Sequence, residues 1–242
     1  MKETVRAVFF DLGNTLMYDK NPWGELFKRA EVELWNSLHK VGVRSSGSEL
    51  YGEQLTFFDY YYKLRAKNLD EPGILPVFKQ LLADHQIKVS DPDLLAAFHS
   101  MYTVTQDNWF VEEDAVPTLL TLKEYGYHLG IISNSADDEN TYTLIDKGHL
   151  RSYFEFIISS AAFGKRKPHP AIFQAALDHF QFSAEQTVMV GDLLDADIFG
   201  AHQLGMRTIW ITRRLGKRVD PGLVKPDATV SSLSEIPALL SA

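Results

Sequence analysis

Val8-Phe9-Phe10-Asp11-Leu12-Gly13-Asn14-Thr15-Leu16 runs from an apolar, aromatic and β-branched segment straight into a carboxylate followed by turn formers. Such a run suits a strand buried on both faces of a parallel sheet. In open α/β sheets, ligands bind beyond the carboxyl ends of these strands, which is where Asp11 would stand. Taken alone, an Asp after a strand is more often the cap of the next turn. Three later stretches decide between these readings.

From Pro117 onward, strand and helix signals alternate. A helix through Leu119, Leu120 and Leu122 leads to the strand His128-Leu129-Gly130-Ile131-Ile132-Ser133. A helix from Asp138 to Lys147 precedes strand character at Phe154 to Ile158, and a helix after Pro168 carries Ile172, Phe173, Ala176, Leu177 and Phe180. Thr187 to Gly191 reads as a strand, Ala196 to Leu204 as a helix and Arg207 to Thr212 as a strand; Ala228 to Val230 and Leu233 to Leu240 complete the series. Gly216 to Asp227 reads as a polar loop. The alternation predicts an α/β fold, a doubly wound parallel (Rossmann-like) sheet.

The segment between Pro22 and Asn108 has a different grammar. Trp23, Leu26, Phe27, Ala30, Leu34 and Leu38 recur at helical spacing until Gly42, and further helices are expected at Ser48–Asn68, Gly73–His85 and Pro92–Tyr102, with no strand. Residues 1–18 and 109–242 are therefore expected to form the α/β core, and 19–108 an inserted α-helical cap, with hinges near Tyr18 to Pro22 and Gln106 to Glu113. The aromatic cluster Phe57, Phe58, Tyr60, Tyr61 and Tyr62 is expected to be cap core in preference to a substrate pocket. Lys63, Arg65 and Lys67 are read as a solvated helix face.

Composition narrows the classes. With 45% hydrophobic and 23% charged residues in 242, the chain is an ordinary globular sequence. A net charge of -8 argues against a protein whose main partner is a nucleic acid. There is no cysteine, so a metal must be held by oxygen or imidazole, and the 8 histidines show no paired ligand spacing. Met1-Lys2-Glu3-Thr4 lacks the apolar segment of a secretory signal, and no run approaches the roughly 18 apolar residues that cross a membrane. A cytoplasmic protein with no membrane partner is expected.

The polar groups at the strand ends are chemically complementary. A carboxylate attacking phosphorus needs cations and donors to offset the repulsion between two anions. Asp11 and Asp192 could share Mg²⁺, a hard ion that takes few carboxylates. Lys167 could place a point charge on phosphoryl oxygens, while Ser133 and the Asn134 backbone amide donate hydrogen bonds.

In that order and placement, these residues resemble the haloacid dehalogenase superfamily, in the branch with a helical cap inserted after the first strand. The resemblance runs from Val5 to Thr212. Asp11 to Thr15 corresponds to the first motif, Ser133 to the second, Gly164 to Phe173 with Lys167 to the third, and Gly191 to Asp197 to the fourth. It implies that Asp11 is a nucleophile forming an aspartyl-phosphate. Asp11, the Gly13 carbonyl and Asp192 would ligate Mg²⁺, and Ser133 and Lys167 would bind phosphate. Thr15 would fix the first loop, and Asp197 would act in a supporting position or through water.

At Gly13 the chain departs from the pattern, since most phosphatases of the family carry there a second aspartate that acts as general acid and base. His169 reads as a loop variant. The expected function is a Mg²⁺-dependent phosphatase of a small phosphorylated metabolite. A catalytically silent member acting as a binding or regulatory protein is the alternative that Gly13 supports. A 2-haloacid dehalogenase, whose fourth motif resembles a serine-asparagine version, is a third reading. Substrate identity and oligomeric state stay open at this point.

Overall fold

Phe9 and Phe10 have no side exposed to water, and neither do Ala7 and Val8; the whole of β1 (Ala7–Phe10) is buried. It lies at the centre of the six-stranded sheet in a computed structural model that describes residues 5–53, 55–214 and 224–241. The expected loop Gly216 to Asp227 lies largely outside the described residues. The chain divides into two units, Met1–Tyr18 with Phe110–Ala242, and Asp19–Trp109.

In the first unit β1 is followed later in the chain by β4 (His128–Ser133), β5 (Phe156–Ser159), β6 (Thr187–Gly191), β7 (Arg207–Ile211) and β8 (Ala228–Val230). The order in space is β5-β4-β1-β6-β7-β8, with every pair parallel. The chain thus fills one side of β1 and then returns to fill the other, so β1 sits at the reversal point where such sheets open a crevice at their carboxyl ends. Register sets what meets there. Phe10 is level with Ile131 and with Val190, so Asp11, Ile132 and Gly191 emerge at one height, and Ser133 and Asp192 one residue further.

The connecting helices follow from local signals. Between the strands run α6 (Ala115–Glu124), α7 (Asp138–Lys147), the short α8 (Ser160–Phe163), α9 (Pro170–Phe180) and α10 (Phe199–Gln203), and α11 (Ile236–Ser241) follows the last strand. Asp137 caps α7 by accepting from Asn140 N–H at 2.8 Å, and Pro170 begins α9 at a position where no donor is needed. Ile172, Phe173, Ala176 and Leu177 of α9 pack on Phe9, Ile132 and Met189 of the sheet. Glu112 is buried but paired, receiving hydrogen bonds from Arg213 and Arg214.

The second unit holds α1 (Trp23–Lys40), α2 (Gly47–Tyr51), α3 (Phe57–Arg65), α4 (Ile74–Asp84) and α5 (Asp91–Gln106). The expected single helix from Ser48 to Asn68 is two. Gly52 takes φ 99°, which stops the first, and Thr56 and Asp59 cap the second reciprocally, Asp59 Oδ2 accepting from Thr56 N–H at 2.8 Å. Of the aromatic cluster, Phe57, Phe58 and Tyr61 are buried, Tyr60 is half-buried and Tyr62 is 43% exposed. Phe57 packs on Phe78 with ring centroids 4.5 Å apart. Arg65 departs from the solvated face expected of it, because it pairs with the buried Glu71 at 2.8 Å; Lys63 and Lys67 are exposed. Two short strands not read from the sequence, β2 (Met17–Asp19) and β3 (Trp109–Val111), form a two-stranded ribbon where the chain passes between the units. Among the described residues no helix is long and apolar enough to cross a membrane.

Candidate active site

Asp11 leaves β1 into a tight loop in which Leu12 C=O accepts from both Leu16 N–H at 3.0 Å and Met17 N–H at 2.9 Å. Asn14 takes the left-handed conformation that closes this loop, with φ 56°, while Gly13 has no positive φ. Thr15, expected to fix this loop, is fully buried in it, and its hydroxyl has no hydrogen-bond partner.

The fourth strand end is shaped by a missing side chain. After Asp192 the chain makes a π-type turn, Leu194–Ile198, that folds Asp197 back so that its Oδ2 accepts from Leu193 N–H at 3.0 Å. A Cβ on Gly191 would lie 2.3 Å from the Asp197 carboxyl carbon, so only glycine leaves the carboxylate its place. Gly191→Ala is expected to displace Asp197 and lower turnover by about 100-fold, the scale of an ångström-sized misplacement at a reacting centre. Unchanged kinetics in that variant would show that Asp197 has no part in the reaction. Trp210, on β7, donates its indole N–H to the Asp192 main-chain carbonyl at 2.9 Å and so fixes where this strand end points.

Lys167 reaches in from the loop before α9. Its Nζ lies 2.6 Å from Asp11 Oδ1, 2.6 Å from the Ile132 carbonyl oxygen and 2.7 Å from Asp197 Oδ1. The contact with Asp197 is a buried ion pair. Burial disfavours the Lys167 ammonium, but the Asp11 and Asp197 charges outweigh it and hold its pKa above the ordinary value.

Asp11, Asp192 and Asp197 are all buried, and one oxygen from each falls within 4.8 Å of the others. Among the described residues the cation set against these carboxylates is the Lys167 ammonium, so negative charge is in excess when all three are ionised. Burial and then the neighbouring charges of Asp11 and Asp197 push Asp192 up to about 8. Asp197 is pushed up to about 6 by burial, with Asp11 adding to the shift and Lys167 opposing it. A divalent cation offsets that excess, and a donor set made only of oxygen fits a hard one.

Ser133 is buried at the end of β4 and stands one residue past the level of Asp11. The side chain of Asn134, the next residue, is bound to the Lys167 main chain: Oδ1 accepts from Lys167 N–H at 2.7 Å and Nδ2 donates to Lys167 C=O at 2.9 Å. His169 caps α9, its Nδ1 accepting from Ala171 N–H at 3.2 Å. Trp210, the space above Gly191 and the Asn134 side chain were not legible as site features in the sequence. A glycine directly before a strand-end aspartate was the one local hint.

The haloacid dehalogenase-like hydrolase family model matches residues 8–211. The chain is 28% identical over 236 residues to the glyceraldehyde 3-phosphate phosphatase of Pyrococcus furiosus, a match covering 98% of this chain and 92% of that one. It is 29% identical over 174 residues to the phosphoglycolate phosphatase of Nitrosococcus oceani, covering 70% and 76% of the two chains. A 2-haloacid dehalogenase from Pseudomonas syringae has a similar crystal structure, with TM-score 0.72, 27% identity and coverage of 98% and 99%. With the strand order, the motifs at the strand ends and a family match over most of its length, this chain belongs to the haloacid dehalogenase-like hydrolase family.

Proposed function

We propose that this protein is a phosphatase of small phosphorylated metabolites that uses Asp11 as its nucleophile. The observation that carries the reading is the buried group of three carboxylates around one lysine at the centre of the sheet mouth. Relatives named as phosphatases of three-carbon and two-carbon phosphates support the substrate class. In this reading Lys167 holds Asp11 Oδ1, and Asp11 Oδ2 attacks phosphorus while the bond to the leaving oxygen breaks. The acyl-phosphate so formed is then cleaved by water, which restores the carboxylate and releases inorganic phosphate. Ser133 and Lys167 bind the phosphoryl oxygens, and Asp197 steadies Lys167.

The acidic group fits Mg²⁺, and Asp11, the Gly13 carbonyl and Asp192 are the residues that would hold it. When bound it supplies the positive charge that lets a carboxylate meet a phosphate. The helical unit, which begins at Asp19 shortly after Asp11, is read as the cap that selects the substrate.

Chelation is therefore expected to abolish phosphate release from a panel of sugar phosphates, phosphoglycolate and p-nitrophenyl phosphate, and added Mg²⁺ to restore it. The pH dependence of stability carries an independent signature. Because Asp192 and Asp197 hold protons in the folded state that the unfolded chain gives up near pH 4, the stability of the metal-free protein falls as pH rises toward about 8. Its Tm should be lower at about pH 8 than at about pH 6, with Mg²⁺ raising it more at the higher pH. A Tm that rises over this interval without metal, or a Mg²⁺ shift that shrinks, would remove the metal from the acidic group.

The 27%-identical dehalogenase favours a second reading, attack by Asp11 on carbon with loss of halide. Halide release from chloroacetate in the presence of chelator would establish it. Tight binding of a phosphorylated ligand with no turnover of any ester would instead support the silent, binding member that Gly13 suggests.

A further inference from the structure

The structure assigns Asn134 the role of a positioning residue for Lys167. The kinetic part of this inference rests on the phosphatase reading above; the structural part does not. A lysine is a compact charge on a flexible stem, and Lys167 lies outside any helix or strand, in a turn closed by His169 N–H donating to Arg166 C=O at 2.9 Å. Its head is nonetheless gripped by Asp11, Asp197 and the Ile132 carbonyl. Its base is gripped too, since one side-chain amide, from a residue 33 positions earlier, satisfies both the N–H and the C=O of Lys167.

The two grips come from the same place. Ile132 and Asn134 flank Ser133 at the end of β4, so that strand end supplies an acceptor for the lysine head and a clasp for its backbone. The clasp is specific to a carboxamide. The Lys167 N–H can only donate and its C=O only accept, so the partner must present an acceptor and a donor on one short head. An aspartate keeps the first bond and lacks the second donor; an alanine makes neither. The next residue is tied in the same manner, Ser135 N–H donating to Ser160 Oγ at 2.9 Å and Ser160 Oγ donating to Ser135 C=O at 3.0 Å. The loop after β4 is thus stitched to the segments on either side of Gly164, and Asn134 is the stitch that bears on the reacting group.

The test compares Asn134→Ala and Asn134→Asp with wild type, each also in a Lys167→Ala background. The first readout is the ¹H–¹⁵N signal of the Lys167 ammonium, identified by its absence from Lys167→Ala. Burial and its acceptors should slow proton exchange enough for the signal to appear in wild type. Asn134→Ala should lose this protection, and Asn134→Asp should retain part of it. The second readout is p-nitrophenyl phosphate hydrolysis. Asn134→Ala should lower kcat by about 10- to 100-fold with a smaller change in KM, and should change kcat/KM by less than about twofold once Lys167 is gone.

An Nζ signal equally protected in wild type and both variants overturns the clasp, as does an equal loss of rate in both backgrounds, which would mean that Asn134 acts on the substrate or on stability at large. If Asn134→Ala does not fold, Asn134→Asp carries the same comparison. If wild type cleaves no phosphate ester, the phosphatase reading fails and the ammonium signal alone decides the clasp.

Discussion

Asp11→Asn is expected to reduce hydrolysis of every phosphate monoester by on the order of 10⁴-fold or more, because an amide cannot take the place of an attacking carboxylate. The loss should be one of chemistry and not of folding. Lys167 keeps Asp197 and the Ile132 carbonyl as partners, and an amide oxygen at residue 11 can still accept its hydrogen bond. Removing one of three crowded carboxylates also relieves repulsion, since the Asp11 charge is among the causes that raise both Asp192 and Asp197. The metal-free variant should therefore melt no lower than metal-free wild type near pH 8. Mg²⁺ affinity should fall in the same variant, as one of the ligands proposed above has lost its charge. Acid quenching of wild type during turnover should trap phosphate covalently on the protein, and none on Asp11→Asn. More than about one per cent residual activity in a pure preparation would place the nucleophile elsewhere.

Gly13→Asp is expected to speed hydrolysis of alkyl phosphates selectively, within the roughly 10²–10⁴-fold range that general acid catalysis supplies. An alkoxide leaves poorly unless it is protonated, whereas p-nitrophenolate and acetate leave without help. Wild type, with no acid at residue 13, should accordingly favour aryl and acyl phosphates over alkyl ones more strongly than Gly13→Asp does. The backbone permits the change. Gly13 does not use a left-handed φ; its neighbour Asn14 takes that conformation at 56°, so an aspartate at 13 meets no conformational penalty of the kind reserved for glycine positions. Equal rates for aryl and alkyl esters in wild type would show that another group delivers the proton. An unchanged ratio in Gly13→Asp, with the fold intact by its Tm, would show that residue 13 does not face the leaving group.

Strands that are buried on both faces carry their signal locally, as unbroken apolar runs, and this is why β1, β4, β6 and β7 and the polar groups that end them could be read from the sequence alone. The helical character of the segment from Pro22 onward was legible for the same reason, through apolar residues at helical spacing in α1, α4 and α5. Signals that depend on a partner were not. β2 and β3 have three residues each and exist because they pair with one another, and the break between α2 and α3 hangs on Gly52 and the Thr56 cap more than on periodicity. Asp11, Lys167, Asp192 and Asp197 were each visible as strand-end or loop residues. That Lys167 would bridge two of the carboxylates was decided by the order β5-β4-β1-β6-β7-β8, by the register that brings Asp11 level with Gly191, and by the room that Gly191 leaves for Asp197. The Asn134 clasp and the Trp210 bond to Asp192 arise the same way, from residues far apart in sequence. Chain propensities act over a few residues and so write the elements into the sequence, whereas hydrogen bonds and ion pairs act over a few ångströms and take their partners only once the sheet has set which strand ends are neighbours.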